Sequence, residues 1–61
     1  MKIKVVREEI HIITETKIYK FILIIENEVN IFDEREEFIH TSSSENEAIE
    51  FLRNYVSVLE D

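Results

Sequence analysis

Residues 17–25 of the chain read KIYKFILII, and no other segment prefers the β-strand conformation more strongly. Successive side chains of a strand point to opposite faces of the sheet, so this strand presents two apolar sets. One set consists of Tyr19, Phe21, Leu23 and Ile25. The other set consists of Ile18, Ile22 and Ile24. A strand that is apolar on both sides predicts a sheet that is covered on both faces.

Only one helix is available to cover this sheet. Ser44 precedes Glu47 by three positions, which is the spacing of a capping box. The apolar residues that follow fall within one half of the helical circumference. The pattern predicts an amphipathic helix from about Ser44 to Leu59 with one face on the sheet. The acidic pair at residues 60 and 61 opposes the helix dipole and predicts a frayed end.

The second apolar face of the sheet would stay uncovered by this helix. Soluble monomers seldom tolerate a contiguous apolar patch, and such patches usually mark interfaces. We therefore expect Ile18, Ile22 and Ile24 to form a homodimer interface or to receive a docked partner. The alternative is that the first segment or the C-terminus folds back over this face.

The remaining segments predict further short strands. In residues 1–14 the alternating apolar residues change from odd-numbered to even-numbered positions near residue 8. This change indicates one bent strand with a bulge or two short strands. Turns are expected at residues 15–16 and 33–35, and around Asn27, which accepts a positive φ best in a chain without glycine. Strands at 29–32 and 36–41 complete the pattern. The prediction is a single α+β domain: a three- or four-stranded antiparallel β-sheet with one C-terminal helix packed on one face, in the order β-β-β-(β)-α.

Glycine, proline and cysteine are absent from all 61 residues. Glycine-rich phosphate loops, thiolate metal sites and disulfide frameworks are therefore excluded, and no cofactor is expected. A domain of this size buries only about 60% of its unfolded surface, so self-association is the expected reinforcement. No apolar run approaches the roughly 20 residues of a membrane span, and the first residues lack a secretory pattern. A cytoplasmic location without a membrane partner is the expectation.

The net charge of −7 is concentrated in the second half of the chain. Residues 1–25 hold five basic and three acidic side chains, whereas residues 26–61 hold two basic and eleven acidic ones. The densest carboxylates predict an acidic patch that binds a basic protein partner. This patch comprises Glu26, Glu28, Asp33, Glu34, Glu36 and Glu37. The resulting hypothesis is a small acidic, non-enzymatic inhibitor or adaptor, or a nucleic-acid mimic.

A second hypothesis uses the basic side chains of the first half. An acidic protein repels phosphate, so nucleic acid is a disfavoured partner unless these basic residues converge on one face. They are Lys2, Lys4, Arg7, Lys17 and Lys20. Two copies of such a face in a homodimer would form a nucleic-acid-binding groove.

Residues that could carry chemistry are few. His11 and His40 are the only histidines, and without cysteine they form a weak metal pair, so no metal site is expected. A serine among residues 42–44 could act as a nucleophile beside His40 and Asp33, but only the residue types support this. Helix capping and turn formation explain these serines better. We expect no enzymatic activity, with a small hydrolase around His40 as the third hypothesis. The aromatic residues are assigned to the core.

The strand–helix unit that contains Thr41–Ile49 is similar to that of HicB-type antitoxins, in which a polar cap precedes a helix that starts with acidic residues and alanine. The resemblance covers the chain from about Thr41 onward, and the glycines and proline common in the sheet of that family are missing here. The resemblance implies one use for such a unit, which is to mask a basic toxin.

Overall fold

The computed structural model describes all residues, Met1–Asp61, as one sheet and one helix. The elements in chain order are β1 (Lys2–Val6), β2 (Glu9–Ile13), β3 (Ile18–Ile25), β4 (Val29–Phe32), β5 (Phe38–Ser42) and α1 (Glu45–Leu59). Strands adjacent in the chain are adjacent in the sheet, and every pair is antiparallel. The predicted α+β class, antiparallel sheet and C-terminal helix are confirmed, but the sheet has five strands rather than three or four.

The additional strand comes from the first fourteen residues, which form the second of the two predicted alternatives. Val6 pairs with Glu9 and closes a two-residue turn at Arg7-Glu8. Ile3 lies opposite Ile12, so the apolar residues of β1 and β2 share one face. Because the turn has two residues, the core-facing positions are odd-numbered in β1 (Ile3) and even-numbered in β2 (Ile12), although both sets lie on the same face of the sheet. The parity change in the sequence therefore marks a hairpin turn and not a bulge.

Positive backbone φ angles occur at Arg7 (54°) and Glu36 (66°). The prediction that Asn27 adopts a positive φ is wrong. The β3–β4 turn closes instead through a hydrogen bond from the Glu26 N–H to the Glu28 carbonyl, 3.0 Å long. The left-handed conformation costs a residue with a Cβ about 1 kcal/mol, so the two positive-φ turns carry strain that glycine would avoid.

A single hydrophobic core lies between the sheet and α1. Strands β2, β3 and β4 and the helix contribute buried apolar side chains, and one residue each of β1 and β5 packs against them. The buried members are Ile10, Ile12, Phe21, Leu23, Val29, Ile31, Ala48, Leu52 and Val56. The three helical members are spaced four residues apart and form one stripe, which places the opposite side of α1 in solvent. No helix in the chain is long and apolar enough to cross a membrane.

Both ends of α1 are fixed by side-chain hydrogen bonds. Ser44 is the N-cap, as predicted, and its hydroxyl accepts from the Glu47 N–H at 3.2 Å. The Glu47 carboxylate reaches one residue further than a capping box requires and accepts from the hydroxyl and N–H of Ser43. At the other end the Glu60 carboxylate accepts from the hydroxyls of Tyr19 and Thr16. The expected frayed end is therefore attached to the start of β3 and the turn before it.

Consecutive strands run in opposite directions, so the turns between them lie at two opposite ends of the sheet. The upper end contains the β1–β2 turn, the β3–β4 turn and the start of α1. The lower end contains the β2–β3 turn, the loop between β4 and β5, and the end of α1. This division decides which surface residues lie together.

Candidate protein-interaction surfaces

The sheet face opposite α1, called the open face below, is not covered by any part of the chain. The first segment forms β1 within the sheet, and the C-terminus lies on the α1 side, so neither folds back over it. Ile18 and Ile24 lie on this face and are 52% and 47% exposed, and Ile22 between them is half-buried. The three residues predicted for an interface thus share one uncovered surface.

Two aromatic residues extend this apolar surface towards β5. Ile22 pairs with Phe32, and Phe32 pairs with Phe38, whose ring centroid lies 5.7 Å away in an edge-to-face arrangement. Phe38 is 59% exposed. The register of β4 and β5 shifts at Phe32, and the extra residue Ile39 packs against the core. The assignment of all aromatic residues to the core is therefore wrong for Phe32 and Phe38, which lie on the open face. Phe38 takes this orientation because of the bulge, which leaves no signal in the sequence.

A band of basic side chains, called the basic band, lies beside the apolar surface. The strand register aligns Lys4, His11 and Lys20 in one row across β1–β3. Lys2, two residues before Lys4, shares this face. The other basic residues of the first half lie in turns at opposite ends of the sheet. These are Arg7 and Lys17. Three of the five basic residues considered for nucleic-acid binding are thus brought together, and two are not.

The six acidic residues predicted as one patch are divided between the two ends of the sheet. Glu26 and Glu28 lie in the β3–β4 turn at the upper end, and the other four lie in the loop Asp33–Glu37 at the lower end. The two groups are separated by the four residues of β4, which span about 13 Å at the usual rise of a strand. They form two separate surfaces.

The loop Asp33–Glu37, called the acidic loop, is closed by its own hydrogen bonds. The Asp33 carboxylate accepts from the N–H groups of Arg35 (2.8 Å) and Glu37 (2.9 Å). The Asp33 N–H also donates to the Glu37 carbonyl, 2.9 Å away. The side chains of Glu34, Glu36 and Glu37 are exposed. The loop therefore presents three carboxylates from a fixed backbone.

A second acidic feature lies at the upper end, where Glu28 and Glu47 line one recess of about 390 Å³. This acidic recess is completed by His40, Thr41, Ser42, Ser43 and Phe51. The hydrogen bonds from Ser43 hold the pKa of the Glu47 carboxyl below its ordinary value, so this group is ionised at neutral pH. Two carboxylates that line one recess and have no lysine or arginine partner suit a cationic side chain. Sequence reasoning found Glu28 but not Glu47, since only the fold brings the two together.

Almost all the charged side chains are unpaired within the molecule. The single ion-pair geometry is that of His11 and Glu9, with Nε2 and Oε1 2.7 Å apart. No lysine or arginine nitrogen lies within 4.0 Å of a carboxylate oxygen. The basic band, the acidic loop and the acidic recess are therefore all available to other molecules.

A groove of about 520 Å³ lies beside the lower half of β3. β4 pairs only with Ile22–Ile25, so residues 18–21 have a strand neighbour on one side only. The acidic loop and the α1 residues Tyr55 and Leu59 form the other walls. The groove contains no histidine and no serine, so it holds none of the nucleophile–base combinations considered above.

The residues considered for metal binding and nucleophilic chemistry lie apart. His11 is on the open face and His40 is on the α1 side of the sheet, so they cannot bind the same ion. Asp33 is at the lower end, whereas Ser43 and Ser44 are at the upper end and take part in the helix cap. No group of three or more histidine, aspartate or glutamate side chains could hold a metal ion.

The chain has no significant match among protein-family models, curated proteins or solved structures. The function proposed next rests on the surfaces of the molecule.

Proposed function

We propose that the protein is a non-enzymatic binding module, an inhibitor or adaptor, that holds a basic side chain of a partner protein in the acidic recess. The observation that supports this function is that Glu28 and Glu47 line one recess and that neither has a lysine or arginine within ion-pairing distance. A guanidinium or ammonium group in the recess would gain charge-assisted hydrogen bonds from both carboxylates.

The charge at the upper end of the molecule favours a basic partner. Arg7 is the one basic residue among the turn and cap residues of the upper end, and the acidic ones outnumber it. They are Glu8, Glu26, Glu28, Glu45 and Glu47. A surface of one sign steers an oppositely charged partner during encounter and repels partners of the same sign. A nucleic-acid mimic would present carboxylates to a basic groove in this way. Because the chain lacks cysteine, a reducing compartment suits it, and we expect such a partner in the cytoplasm.

The test is an NMR titration with a short arginine-rich peptide as the probe. We expect the largest shifts at Ser43, His40 and Phe51, and an affinity that falls as salt is added. Glu28→Lys should weaken binding at least about tenfold, because it places a like charge in the recess. Glu15→Lys makes the same change of charge in the exposed β2–β3 turn at the lower end and should have little effect. An equal loss in both variants would show attraction to net charge alone and would contradict a site at the recess.

The same two variants also test the capture of an unidentified partner. A tagged wild-type chain should capture a basic protein from native lysate at low salt, Glu15→Lys should retain it, and Glu28→Lys should not.

One observation favours a second candidate function, which is nucleic-acid binding by a homodimer. Lys2, Lys4 and Lys20 share the open face with His11, and none of the lysines is paired. Binding would then be strongly dependent on salt and weakened by Lys4→Glu. Fluorescence anisotropy with labelled DNA and RNA at low salt measures it, and the absence of any binding there would remove this candidate.

A further inference from the structure

We infer that the open face is the interface of a homodimer whose two-fold axis runs parallel to the strands, close to β3 and β4. The apolar surface of one copy would cover that of the other. Its members are Ile18, Ile22, Ile24, Phe32 and Phe38. This inference concerns a different surface from the acidic recess and does not depend on the proposed function.

The occupant of the open face must satisfy two conditions. It must be apolar opposite the central isoleucines and phenylalanines, and it must be acidic opposite the basic band, because buried or half-buried lysines need partners. A second copy of this chain meets the first condition with the same face. It meets the second with the acidic loop, which is exposed, ordered and free of internal ion pairs.

Two sheets that pack face to face can be related by a two-fold axis between them that runs either across or along the strands. An axis across the strands exchanges the upper and lower ends. With the axis at the height of Lys4, Lys4 would face Lys4 of the second copy, and the acidic loop, which lies at the same height, would face the acidic loop of the second copy. Both contacts join like charges, so this arrangement is disfavoured.

An axis along the strands places the upper ends of the two copies together. It places the β1 side of one copy over the β5 side of the other. Phe32 is level with Ile22, so the acidic loop that follows it lies at the height of Lys20 and Lys4. The basic band of each copy would therefore face the acidic loop of the other, twice in each dimer. Opposite charges meet on both sides of an apolar centre, which is the usual anatomy of a stable interface.

This arrangement also has a consequence for the recess. Because the axis preserves the direction of the strands, both acidic recesses would lie at the same end of the dimer. A partner with two basic sites could then be held by both copies, with an avidity greater than the affinity of either recess.

Sedimentation equilibrium over a concentration series tests the interface. Ile24→Glu places a carboxylate in the apolar centre and should weaken dimerisation at least about tenfold. The control is Val58→Glu, which changes an apolar residue that is 74% exposed on α1 and should leave the dimer intact. Circular dichroism checks that each variant folds. If Ile24→Glu does not fold, Phe38→Glu, at the exposed rim of the same surface, takes its place.

Charge exchange tests the axis. K2E with K4E should weaken the dimer at least about tenfold, and so should E34K with E37K, because each pair places like charges opposite each other. A chain with all four substitutions should recover the wild-type constant, since opposite charges face each other again. With the axis across the strands, like charges would face each other in the wild type and in every one of these variants, so neither pair of substitutions would weaken the dimer, and that result would overturn the axis along the strands.

A wild-type chain that stays monomeric at the highest attainable concentration, or whose mass rises only with added nucleic acid, overturns the interface. So does a dimer that the substitutions at Ile24 and Phe38 leave unchanged. Failure of the chain with four substitutions to recover overturns the axis. The titration of the wild type and of Glu28→Lys with the arginine-rich peptide tests the acidic recess independently of each of these outcomes.

Discussion

The imidazole of His40 lies parallel to the ring of Phe51, with the ring centroids 4.0 Å apart and 8° between the planes. This stack joins the edge strand β5 to α1 and forms one wall of the acidic recess. It continues through Tyr55, 5.8 Å from Phe51, to Phe21 in the core, 6.0 Å from Tyr55. A line of aromatic rings therefore connects the proposed binding surface with the centre of the fold.

We predict that His40→Ala lowers the free energy of unfolding by about 1 kcal/mol, which is the usual contribution of an aromatic pair. His40→Phe should retain most of the stability because it keeps the flat ring over Phe51. Urea unfolding measures both changes. His11→Ala on the open face is the control, since His11 stacks on no ring and should change stability less. A loss in His40→Phe as large as in His40→Ala would contradict a stabilising stack.

The parts of this fold that the sequence predicts are those with local signals. The start of α1 follows from the hydroxyl of Ser44 and its distance from Glu47, and the two faces of β3 follow from strand periodicity. Both features depend on residues a few positions apart. The same local rules located the turns before β3 and β5.

The parts that the sequence does not predict depend on geometry between elements. The β1–β2 turn at Arg7-Glu8 has no glycine or asparagine to mark it, so β1 and β2 resemble one irregular strand. The bulge at Phe32 reverses the expected orientation of Phe38. Glu28 and Asp33 are close in the chain but lie at opposite ends of β4, whereas Glu28 and Glu47 are distant in the chain and share a recess. Proximity in the sequence therefore does not predict which charged residues share a surface.

Leu52 is the central helical residue of the core and is fully buried. Leu52→Ala should cost about 2–5 kcal/mol, because it removes apolar contacts and leaves a cavity. A domain of this length has a total stability of only about 3–9 kcal/mol, so we expect much of the population to unfold at physiological temperature. Val58→Ala removes an exposed apolar side chain from the same helix and should change stability by no more than about 0.5 kcal/mol. Thermal unfolding followed by circular dichroism compares the two variants.

Ser44→Ala removes the side chain that caps α1 and should lower stability by about 1 kcal/mol. Ser57→Ala is a matched control within the same helix, since the Ser57 hydroxyl donates only to the Arg53 carbonyl one turn earlier. We expect Ser57→Ala to be neutral or slightly stabilising, because alanine has the higher helix propensity. Equal losses in the two variants, measured by urea unfolding, would argue against the cap.

The end of α1 should make stability dependent on pH in the acid range. Hydrogen bonds from Tyr19 and then Thr16 hold the pKa of the Glu60 carboxyl below its ordinary value of 4.5. A pKa that is lower in the folded state contributes stability above the ordinary value, and this contribution is lost as the pH falls through the folded pKa. Glu60→Gln should therefore lower the melting temperature near neutral pH, with the difference from wild type shrinking well below pH 4.5.

Glu50→Gln is the control for this experiment, because the Glu50 side chain accepts no hydrogen bond in the structure and lies on the exposed side of α1. A difference between wild type and Glu60→Gln that stayed constant through the acid range would contradict the link to ionisation. At the alkaline end the sign is reversed for Tyr19, whose pKa is raised from 10.0, first by its hydrogen bond to Glu60. That contribution is present below 10.0 and is lost as the pH rises through the folded pKa of the phenol.

A chain without glycine must place other residues wherever the backbone takes a positive φ. Arg7 does so at the first position of a two-residue hairpin turn, with φ of 54°. Arg7→Gly should therefore stabilise the fold by as much as about 1 kcal/mol, since relief of the left-handed strain outweighs the added freedom of the unfolded chain. Asn27→Gly is the control in the β3–β4 hairpin at the same end of the sheet, where φ is not positive, and there glycine should cost about 0.5–1 kcal/mol. Opposite signs for the two substitutions in urea unfolding would show that the backbone conformation, and not the presence of a turn, decides where glycine stabilises this sheet.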